Sequence, residues 1–553
     1  MAVGEPTGVS LAAAHEAIAA RVGDRDALVW RGRTWSWAEV ADRTARLAAV
    51  LRAHDVGPVA DPAPEPWASP HEHLALVLLN GNEYLEGMVG AARARAAAVN
   101  INWRYTAPEM VEVLDDASAA AVAYHGRYAE VVADAVARMA VPPRLLLRVD
   151  DGSGDPLLPG ALDYEAALAA AQPAPPDPAW NGDDRYVLYT GGTTGRPKGV
   201  LWRQADFLTT CLGITATHDE LVEAAGRERR LRALPAPPFM HGAAHWNALS
   251  AWMGGGTVVI QDVVERFDPG DVVDTCIREE ATSLLVVGDA FARPLVAELR
   301  ARPRPLRLRH LLTGGTTLSA PVKADLLDLV PGLQIVDVLG SSETGRQAIT
   351  RSGGASPGTA PGARPAIRGS FRPEATTVVV SEDRSRVLPP DDRSLGWLAQ
   401  GGRVPLGYLG DPEKTAATFP VIEGARYSVA GDRAHWTDDG RVELLGREAA
   451  CINTGGEKVF AEEVERALAH HPGVADCLVV GRPHERFGQE IVAVAAVRPG
   501  AVVELDALRA VAADHLAPYK LPRALVTVDA VRRSPSGKPD YAWARDAAVA
   551  AAP

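Results

Sequence analysis

Short apolar runs alternate with amphipathic segments along most of the chain. Residues 74–79 form one such run, which Asn80 and Gly81 end. A helix is predicted over 84–98 and a second strand over 97–101. Strands that are apolar throughout are typical of a parallel sheet covered by helices. Further strands are predicted at 119–124, 186–189, 257–260, 283–287 and 335–339. The pattern therefore predicts an α/β protein.

Three residues follow predicted strands at places where ligands usually bind. They are Thr190, Gly288 and Gly340. Because ligands of open α/β sheets bind beyond the carboxyl ends of the strands, we expect these residues to lie near one site.

The C-terminal part of the chain has a different pattern, with mixed helices and strands. Helices are predicted at 462–471 and 505–515, and strands at 475–480 and 491–497. A chain of 553 residues also exceeds what one core holds, which is about 250–300 residues. We therefore predict an N-terminal domain over 1–447 and a small α+β domain over 448–553, with a hinge near 447–450.

The composition excludes several classes of protein. Apolar residues make up 47% and charged residues 23% of the chain, as in ordinary globular proteins. The formal net charge of −13 argues against binding to nucleic acid, which requires excess Lys and Arg. No run reaches the roughly 18 apolar residues of a membrane span, and we expect no cleavable leader and no integral membrane contact. Four cysteines without Cys-x-x-Cys spacing indicate a reducing cytoplasm. The sequence leaves monomer and homodimer open.

A loop rich in Gly, Thr and Lys follows the run 186–189. It reads Thr-Gly-Gly-Thr-Thr-Gly-Arg-Pro-Lys-Gly from Thr190 to Gly199. Glycines let backbone N–H groups converge, hydroxyls add donors, and Lys198 supplies a compact positive charge, so the loop suits a polyphosphate. It is not a Walker A loop, because Pro197 precedes the lysine and Val200 follows the glycine. We therefore expect a mobile loop to hold the phosphates, without a helix N-terminus.

Three further motifs follow in order. In Gly-Ser-Ser-Glu-Thr-Gly (340–345), Ser342 and Glu343 suit Mg²⁺, which takes one or two carboxylates with waters and phosphate oxygens; the same residues also suit a helix N-cap. In Tyr-Ser-Val-Ala-Gly-Asp (427–432), Asp432 suits a ribose diol, or the Gly-Asp pair is an ordinary turn. In Ser-Pro-Ser-Gly-Lys (534–538), Lys538 is either a catalytic cation or a solvated charge.

Together these motifs resemble the acyl-adenylate-forming superfamily, which includes acyl-CoA synthetases, luciferases and the adenylation domains of peptide synthetases. The resemblance extends from about residue 33 to 538. It implies a large lobe with mixed and parallel sheets flanked by helices, plus a small mobile α+β lobe. It also implies the use of ATP, Mg²⁺ and coenzyme A: an acid is joined to AMP, and a thiol then displaces the AMP.

The resemblance assigns roles to individual residues. Lys538, Glu343 and Thr194 are implied to be catalytic, with Glu343 at the metal. Residues implied to bind ATP or AMP are Thr190, Gly191, Gly192, Thr193, Thr194, Lys198, Gly314, Gly315, Thr316, Asp337, Leu339, Gly340, Ser341, Ser342, Asp432 and Arg447. The path of coenzyme A is implied to pass Gly455, Gly456 and Lys458; the two glycines also suit a simple turn before a helix.

The segment 237–246 resembles the part of the family that lines the acyl pocket. The implied pocket residues are His241, Trp246, Gly288 and Gly340, although His241 also suits a satisfied histidine of the core. Residues 233–253 contain no aspartate to pair with the ammonium of an amino acid, and their small side chains leave room for an apolar acid. The segment is most similar to actinobacterial acyl-CoA synthetases that act on fatty or sterol side-chain acids.

Two other functions remain open at this stage. The first is an acyl-AMP ligase that loads the thiol of a carrier protein. The second is a regulatory nucleotide-binding protein without catalysis, which the presence of Lys538, Glu343 and Asp432 disfavours. The chain departs from the family pattern at Leu339, where an aromatic residue is usual, and at Ala449, beside the hinge.

Overall fold

The computed structural model describes residues 8–59, 65–190, 197–227, 231–316, 318–353, 370–447, 450–454, 457–484, 487–516, 518–534 and 537–551. The α/β fold that the sequence predicts is confirmed, with a large N-terminal part and a smaller α+β part. No helix within these ranges is both long and apolar enough to cross a membrane.

Helices cover the sheets of both parts. Within the described ranges they are α1 (Leu11–Val22), α2 (Trp37–Ala53), α3 (Asn82–Ala94), α4 (Ala107–Asp116), α5 (Ala129–Arg138), α6 (Tyr164–Ala170), α7 (Gln204–Thr210), α8 (His218–Gly226), α9 (Gly242–Met253), α10 (Pro269–Arg278), α11 (Gly288–Ala301), α12 (Ala320–Leu329), α13 (Pro412–Thr418), α14 (Ala461–Leu468), α15 (Leu505–Ala513) and α16 (Tyr541–Ala550).

The strands of the same ranges are β1 (Asp26–Trp30), β2 (Arg33–Ser36), β3 (His73–Val77), β4 (Ala97–Asn100), β5 (Ala119–His125), β6 (Leu145–Val149), β7 (Leu162–Asp163), β8 (Arg185–Thr190), β9 (Lys198–Arg203), β10 (Arg232–Pro235), β11 (Thr257–Val259), β12 (Ser283–Val286), β13 (His310–Gly314), β14 (Gln334–Ser341), β15 (Gly345–Gly353), β16 (Ser370–Phe371), β17 (Thr377–Val380), β18 (Val387–Leu388), β19 (Gly396–Gln400), β20 (Gly407–Tyr408), β21 (Val421–Ile422), β22 (Ala425–Arg426), β23 (Asp432–Trp436), β24 (Val442–Arg447), β25 (Cys451–Thr454), β26 (Glu457–Phe460), β27 (Val474–His484), β28 (Gly488–Val497) and β29 (Ala524–Val528).

Two largely parallel sheets form the centre of the large part. The first has the order β15-β14-β13-β12-β10-β11-β1-β2, and only its two edge pairs are antiparallel. The second has the order β4-β3-β5-β6-β7 and is parallel throughout. Every residue of β3 and β5 is buried, as expected of strands covered on both faces. One apolar core lies between the two sheets and includes α2, α3 and α9.

Two of the motifs lie where strands pair antiparallel, and one of them corrects the sequence expectation. Thr190 ends β8, which pairs antiparallel with β9 and β20 in a separate small sheet. Gly340 lies inside β14, which continues to Ser341 and turns back into β15. The expectation that Thr190 follows a strand of a parallel sheet is therefore wrong, because apolar runs do not reveal the direction of pairing. Gly340 meets the expectation, since it lies just past the residues of β14 that pair parallel with β13. Gly288 does follow a parallel strand, β12.

The smaller part has its own sheet and core. Its strands have the order β26-β25-β28-β27, with β29 parallel to β28. Helix α14 buries Val464 and Leu468 against this sheet. The last strand in sequence of the preceding six-stranded antiparallel sheet is β24, which ends at residue 447. The first strand of the small sheet, β25, begins at residue 451. The boundary near 447–450 stays a prediction.

Candidate functional site

The hairpin of β8 and β9 holds both ends of the glycine-threonine loop. Thr190 and Lys198 are cross-strand neighbours at its open end. Lys198 forms an ion pair with Asp411, and its ammonium lies 5.6 Å from the centroid of the Tyr408 ring. Gly191, Gly192, Thr193 and Thr194 lie outside the described residues. The structure thus fixes where the predicted phosphate loop begins and ends.

Glu343 lies in the turn between β14 and β15, close to this hairpin. The hydroxyl of Tyr408 donates to Glu343 Oε1 at 3.2 Å, and Tyr408 is also the ring beneath Lys198. Ser428 Oγ donates to the backbone carbonyl of Glu343 at 2.7 Å. Segments from three sequence motifs therefore meet around one carboxylate.

The same turn excludes the N-cap alternative for Ser-Ser-Glu. Ser341 and Thr344 close it through the Ser341 N–H, which donates to Thr344 Oγ1 at 3.0 Å, and β15 follows at Gly345. Trp202 Nε1 donates to the carbonyl of Ser342 at 3.1 Å. The segment joins two strands and begins no helix.

The donor set around Glu343 fits magnesium. Its half-buried carboxylate accepts one neutral hydrogen bond, from Tyr408. No group of three or more His, Cys, Asp or Glu side chains that could hold a metal occurs within the described ranges. A single hard carboxylate suits an ion that keeps its waters and binds mainly to phosphate oxygens. Glu343 would hold Mg²⁺ in this way.

The residues predicted to bind adenosine lie on strands of two different sheets. Asp432 begins β23, directly opposite Arg447 on β24; the side chain of Arg447 lies outside the described part. Asp337 of β14 forms an ion pair of 2.8 Å with Lys323 of α12. Burial raises the pKa of Asp337, and the charge of Lys323 opposes that shift. Leu339 packs against the apolar core of the antiparallel sheet, beside Ala348.

Gly314 ends β13 opposite Val338 of β14, and Gly315 and Thr316 follow it. A side chain on Gly314 would lie 2.9 Å from the Val338 carbonyl, and Gly315 has a φ of +80°. Both positions therefore favour glycine, because one lacks space and the other has a left-handed backbone.

His241 precedes α9 and faces the tail of the small lobe. Its ring is buried, and its Nε2 has no hydrogen-bond partner among the described residues. Burial lowers the pKa of His241 to about 3, and the positive charge of Lys538 contributes to the shift. The alternative of a satisfied core histidine is therefore not met: the ring is neutral at physiological pH, and its Nε2 is unpaired as far as the described residues extend.

The loop that carries Lys538 packs against the large lobe. Gly537 is buried, and a Cβ built on it would lie 3.2 Å from the carbonyl of Val287. Val287 precedes Gly288, whose N–H donates to Thr313 Oγ1 at 3.1 Å. A cleft of about 220 Å³ separates the loop from the turn before His241. The structure thus brings Lys538, His241 and Gly288 to one place.

Trp246 belongs to a hydrogen-bonded chain that the sequence did not reveal. Its Nε1 donates to the hydroxyl of Tyr186 at 2.7 Å, which contacts His245 Nε2. His245 Nδ1 lies 2.7 Å from the carbonyl of Phe239. Burial lowers the pKa of His245 to about 4, so the neutral ring donates from Nδ1 and accepts from Tyr186. This chain fixes the turn before His241.

Asn100 is a second residue that sequence reasoning missed. From the end of β4 its Nδ2 donates to the carbonyls of Tyr189 and Met240, at 2.9 and 2.8 Å, and its Oδ1 accepts from the Tyr189 N–H. It thereby joins the phosphate hairpin to the turn before His241. The sequence signal for Asn100 was a polar residue near the end of a predicted strand. Tyr408 and Asp411, which also contact predicted site residues, had no such signal.

Part of the predicted coenzyme A path cannot be located. Gly455 and Gly456 lie outside the described residues, as does the side chain of Lys458. The flanking strands β25 and β26 pair antiparallel, with Thr454 opposite Glu457. The role of this segment stays a prediction.

Comparisons with known proteins agree with this geometry. The family model described as AMP-binding enzyme matches residues 15–409, and the model of the AMP-binding enzyme C-terminal domain matches residues 463–538.

Curated relatives match almost the whole chain. The medium-chain acyl-CoA ligase Mig of Mycobacterium avium is 45% identical, over 98% of this chain and 99% of its own length. The 3-oxocholest-4-en-26-oate CoA ligase of Rhodococcus rhodochrous is 36% identical, over 95% and 93%. Among solved structures, the anthranilate CoA ligase AuaEII in complex with anthranoyl-AMP shares the fold, with a TM-score of 0.82, 19% identity and coverage of 100% and 99%. The matches to both family models and these relatives show that the chain belongs to the AMP-binding enzyme family.

Proposed function

We propose that the protein is an ATP- and Mg²⁺-dependent acid:CoA ligase, which forms an acyl-AMP and then an acyl-CoA thioester. A carboxylate is a poor acylating agent, because its leaving oxygen is strongly basic. Joining it to AMP supplies a better leaving group for attack by a thiol. The first step brings two anions together, so it needs positive charge between them and a metal on the departing pyrophosphate.

One observation carries the proposal. The tail before Lys538 packs on the large lobe, where a Cβ on Gly537 would lie 3.2 Å from the Val287 carbonyl, and this brings Lys538 close enough for its charge to lower the pKa of His241 although the two residues are far apart in the sequence. A lysine held there can reach the carboxylate and the α-phosphate during the first step. Neutral His241 can contact the acid without adding charge of its own.

The other residues divide the work along the triphosphate. Lys198, at the base of the loop, would hold the outer phosphates together with Thr190, and Thr194 would act on the same phosphates. Glu343 would hold Mg²⁺ beside them, while Asp432 and Arg447 would hold the ribose and its phosphate. Asp337, Leu339, Gly340 and Ser341 would border the adenine and the reacting phosphorus.

The second step requires the tail loop to leave. While Gly537 packs on Val287, a thiol cannot approach the acyl carbonyl from that side. We infer that the small lobe turns about a hinge near 447–450, so that Gly455, Gly456 and Lys458 replace the loop and border coenzyme A.

The acid itself is proposed to be apolar. Gly242 and Ala243 are small residues at the start of α9, and the apolar side chains of Leu188 and Trp246 lie beside Gly242. The relatives are named for medium-chain and sterol side-chain acids, which supports fatty or sterol side-chain acids here. We further propose a cytoplasmic location and a homodimer. Light scattering of the purified protein would test the homodimer.

A screen of acids tests the function. The purified protein is incubated with ATP, Mg²⁺, CoA and short, medium, long, aromatic or sterol acids, and AMP release is measured. We expect CoA-dependent AMP release with medium or longer apolar acids, and little with short or amino acids. Release that needs a holo carrier protein in place of CoA would favour the carrier-loading alternative. Absence of both AMP release and pyrophosphate exchange with every acid would reject the ligase.

A further inference from the structure

A second cavity, of about 260 Å³, lies away from the motif residues. It is bordered by α9 on one side and by the amino ends of β10, β12, β13 and β14 on the other. The residues discussed above lie at the opposite, carboxyl ends of these strands. The function proposed so far makes no use of this cavity.

The sheet face beneath α9 changes from apolar to polar toward the cavity. Strand register aligns Leu285, Leu312 and Val336 in one row. It aligns Ser283, His310 and Gln334 in the next row outward. Alternate residues of a strand face the same side, so the two rows are about 7 Å apart. Gly314 and Val338 form the row on the inner side, next to the candidate site.

Helix α9 shows the same change along its length. Ala243 and Trp246 are partly buried against the core near the site, whereas Asn247 and Ser250 line the cavity. From the start of α9 to Ser250 the helix rises about 12 Å. A substrate that begins at His241 and runs between α9 and the sheet would therefore end at the cavity.

Polar groups converge on this outer end. Asn247 Oδ1 is shut off from solvent and has no hydrogen-bond partner among the described residues. His310 and Arg351 line the same cavity from the sheet. Burial lowers the pKa of His310, and the charges of Arg309 and Arg351 add to the shift, so the ring is neutral and carries one N–H. The buried acceptor of Asn247 and the donors of His310 and Arg351 are poorly suited to a substrate that ends in a methyl group, because a methyl group forms no hydrogen bonds.

We propose that the cavity is a distal subsite, which binds a hydroxyl or ketone oxygen at the end of the acid opposite its carboxyl group. This inference rests on the proposed ligase function. The cavity volume suits one end of a substrate, because pockets for whole small ligands are usually about 300–1,000 Å³. A hydroxyl can donate to Asn247 Oδ1 once the amide turns this atom toward the cavity, and it can accept from Arg351 or His310; a ketone can accept from the two donors.

Matched pairs of acids test the inference. Acid-dependent pyrophosphate release is measured for ω-hydroxy acids, (ω−1)-oxo acids, which end in a methyl ketone, and unsubstituted acids over a series of chain lengths. We expect kcat/KM to favour the oxygenated acid about three- to tenfold at the chain length that reaches the cavity, with no preference at shorter lengths. Asn247→Leu, which keeps the size and removes the acceptor, should abolish the preference for the hydroxyl. Arg351→Gln should abolish the preference for the ketone.

Arg309→Gln is the control for charge. It removes a cation next to His310 but does not line the cavity, so both preferences should survive. Pyrophosphate release with the unsubstituted acid should stay within about twofold in every variant, which also shows that each variant folds. Equal kcat/KM for oxygenated and plain acids at all lengths would overturn the subsite and leave the ligase intact. An equal effect of Arg309→Gln and Arg351→Gln would overturn direct contact, and no turnover of any acid would overturn both proposals.

Discussion

At the scale of single residues, Lys538 is expected to act in acyl-AMP formation and not in the later attack by the thiol. In the proposed mechanism, the charge of Lys538 would lie between carboxylate and phosphate only while the tail loop is packed on the large lobe. Lys538→Ala should therefore lower acyl-AMP formation about 100- to 1,000-fold, the usual cost of losing one preorganised cation or donor. Thiolysis of supplied acyl-AMP should change little. Pyrophosphate release measures the first step, and thioester formation from synthetic acyl-AMP measures the second.

Lys520→Ala is the matched control for this variant. Lys520 is another lysine of the small lobe, and it pairs with Glu463 at 2.6 Å. Its loss should affect stability slightly and leave both steps unchanged. An equal loss of both steps in the Lys538 variant would argue against the assigned role.

Glu343 offers a second residue-scale prediction. Glu343→Gln removes the negative charge but keeps an oxygen that accepts from Tyr408. The Mg²⁺ concentration needed for half-maximal pyrophosphate exchange should rise at least about tenfold, since a hard cation would lose a charged protein ligand. Glu374→Gln, which removes a carboxylate paired with Arg346, should leave the Mg²⁺ dependence unchanged. An unshifted Mg²⁺ curve for Glu343→Gln would place the metal elsewhere.

The residues of the site were unequally predictable from sequence. Glu343 and Lys538 stood out because their motifs combine unusual residue types at fixed spacing. Tyr408 and Asn100 had no such signal, since each acts through a tertiary contact with a distant segment: Tyr408 reaches Glu343, and Asn100 reaches Tyr189 and Met240. Such contacts depend on the folded geometry and on no local pattern.

At the scale of elements, the tail of the small lobe contacts the large lobe at Gly537. Gly537 has a φ of +74°, and a Cβ there would meet the Val287 carbonyl at 3.2 Å and Ala290 at 3.5 Å. Gly537→Val should therefore weaken docking of the loop and lower acyl-AMP formation at least about tenfold. Thiolysis of supplied acyl-AMP should be spared, because the loop leaves before that step.

Gly500→Val separates backbone strain from docking. Gly500 lies in the same lobe with a similar φ of +78°, but nothing lies within 4 Å of its built Cβ. Both variants carry the strain of a left-handed β-branched residue, so both should lower the melting temperature. If Gly500→Val lowered acyl-AMP formation as much as Gly537→Val, strain alone would explain the loss.

The sequence predicted the positions of the parallel strands correctly. It did not predict which strands pair antiparallel with a neighbour. The runs at 119–124 and 283–287 lie in parallel strands β5 and β12. The runs 186–189 and 335–339 gave the same signal, yet β8 lies in an antiparallel hairpin and β14 has an antiparallel partner on one side. Apolar periodicity reports burial of a strand and carries no information on its neighbours.

At the scale of the whole molecule, buried titratable groups should set the pH range of stability. Burial lowers the pKa of His15 to about 3, and its ring lies between Trp37 and Trp252, at 5.3 and 5.5 Å. Burial likewise raises the pKa of Glu83 and of Glu465 to about 8. The unfolded chain binds more protons than the folded one at the histidines, and fewer at these two carboxyls. The two sets therefore act with opposite sign.

The direction of each effect follows from linkage. For the histidines, stability is complete above the unfolded pKa near 6.5 and is lost as the pH falls toward 3–4. For the two carboxyls, the folded state keeps its proton while the unfolded chain releases it, so stability falls as the pH rises from about 4.5 to about 8. We expect a stability maximum between these limits, with a steep loss on the acid side.

Substitution of His15 isolates one contribution to the acid limb. In the wild type, His15 is neutral when folded and binds a proton when unfolded at acid pH, and this difference favours unfolding. His15→Phe removes this difference. At about pH 5 this contribution amounts to about 2 kcal/mol, so the variant should lose less stability than the wild type between pH 7 and 5, whatever its absolute stability. Denaturant unfolding at each pH measures the difference.

His435 is the control of opposite sign. Its hydrogen bond with Glu443 raises the pKa of His435, so its stabilising contribution is present at acid pH and lost as the pH rises through the folded pKa. His435→Gln should therefore steepen the loss of stability on acidification, by less than His15→Phe relieves it, because this half-exposed ring is screened by solvent. Parallel pH profiles for both variants and the wild type would show that buried histidines do not govern the acid limit.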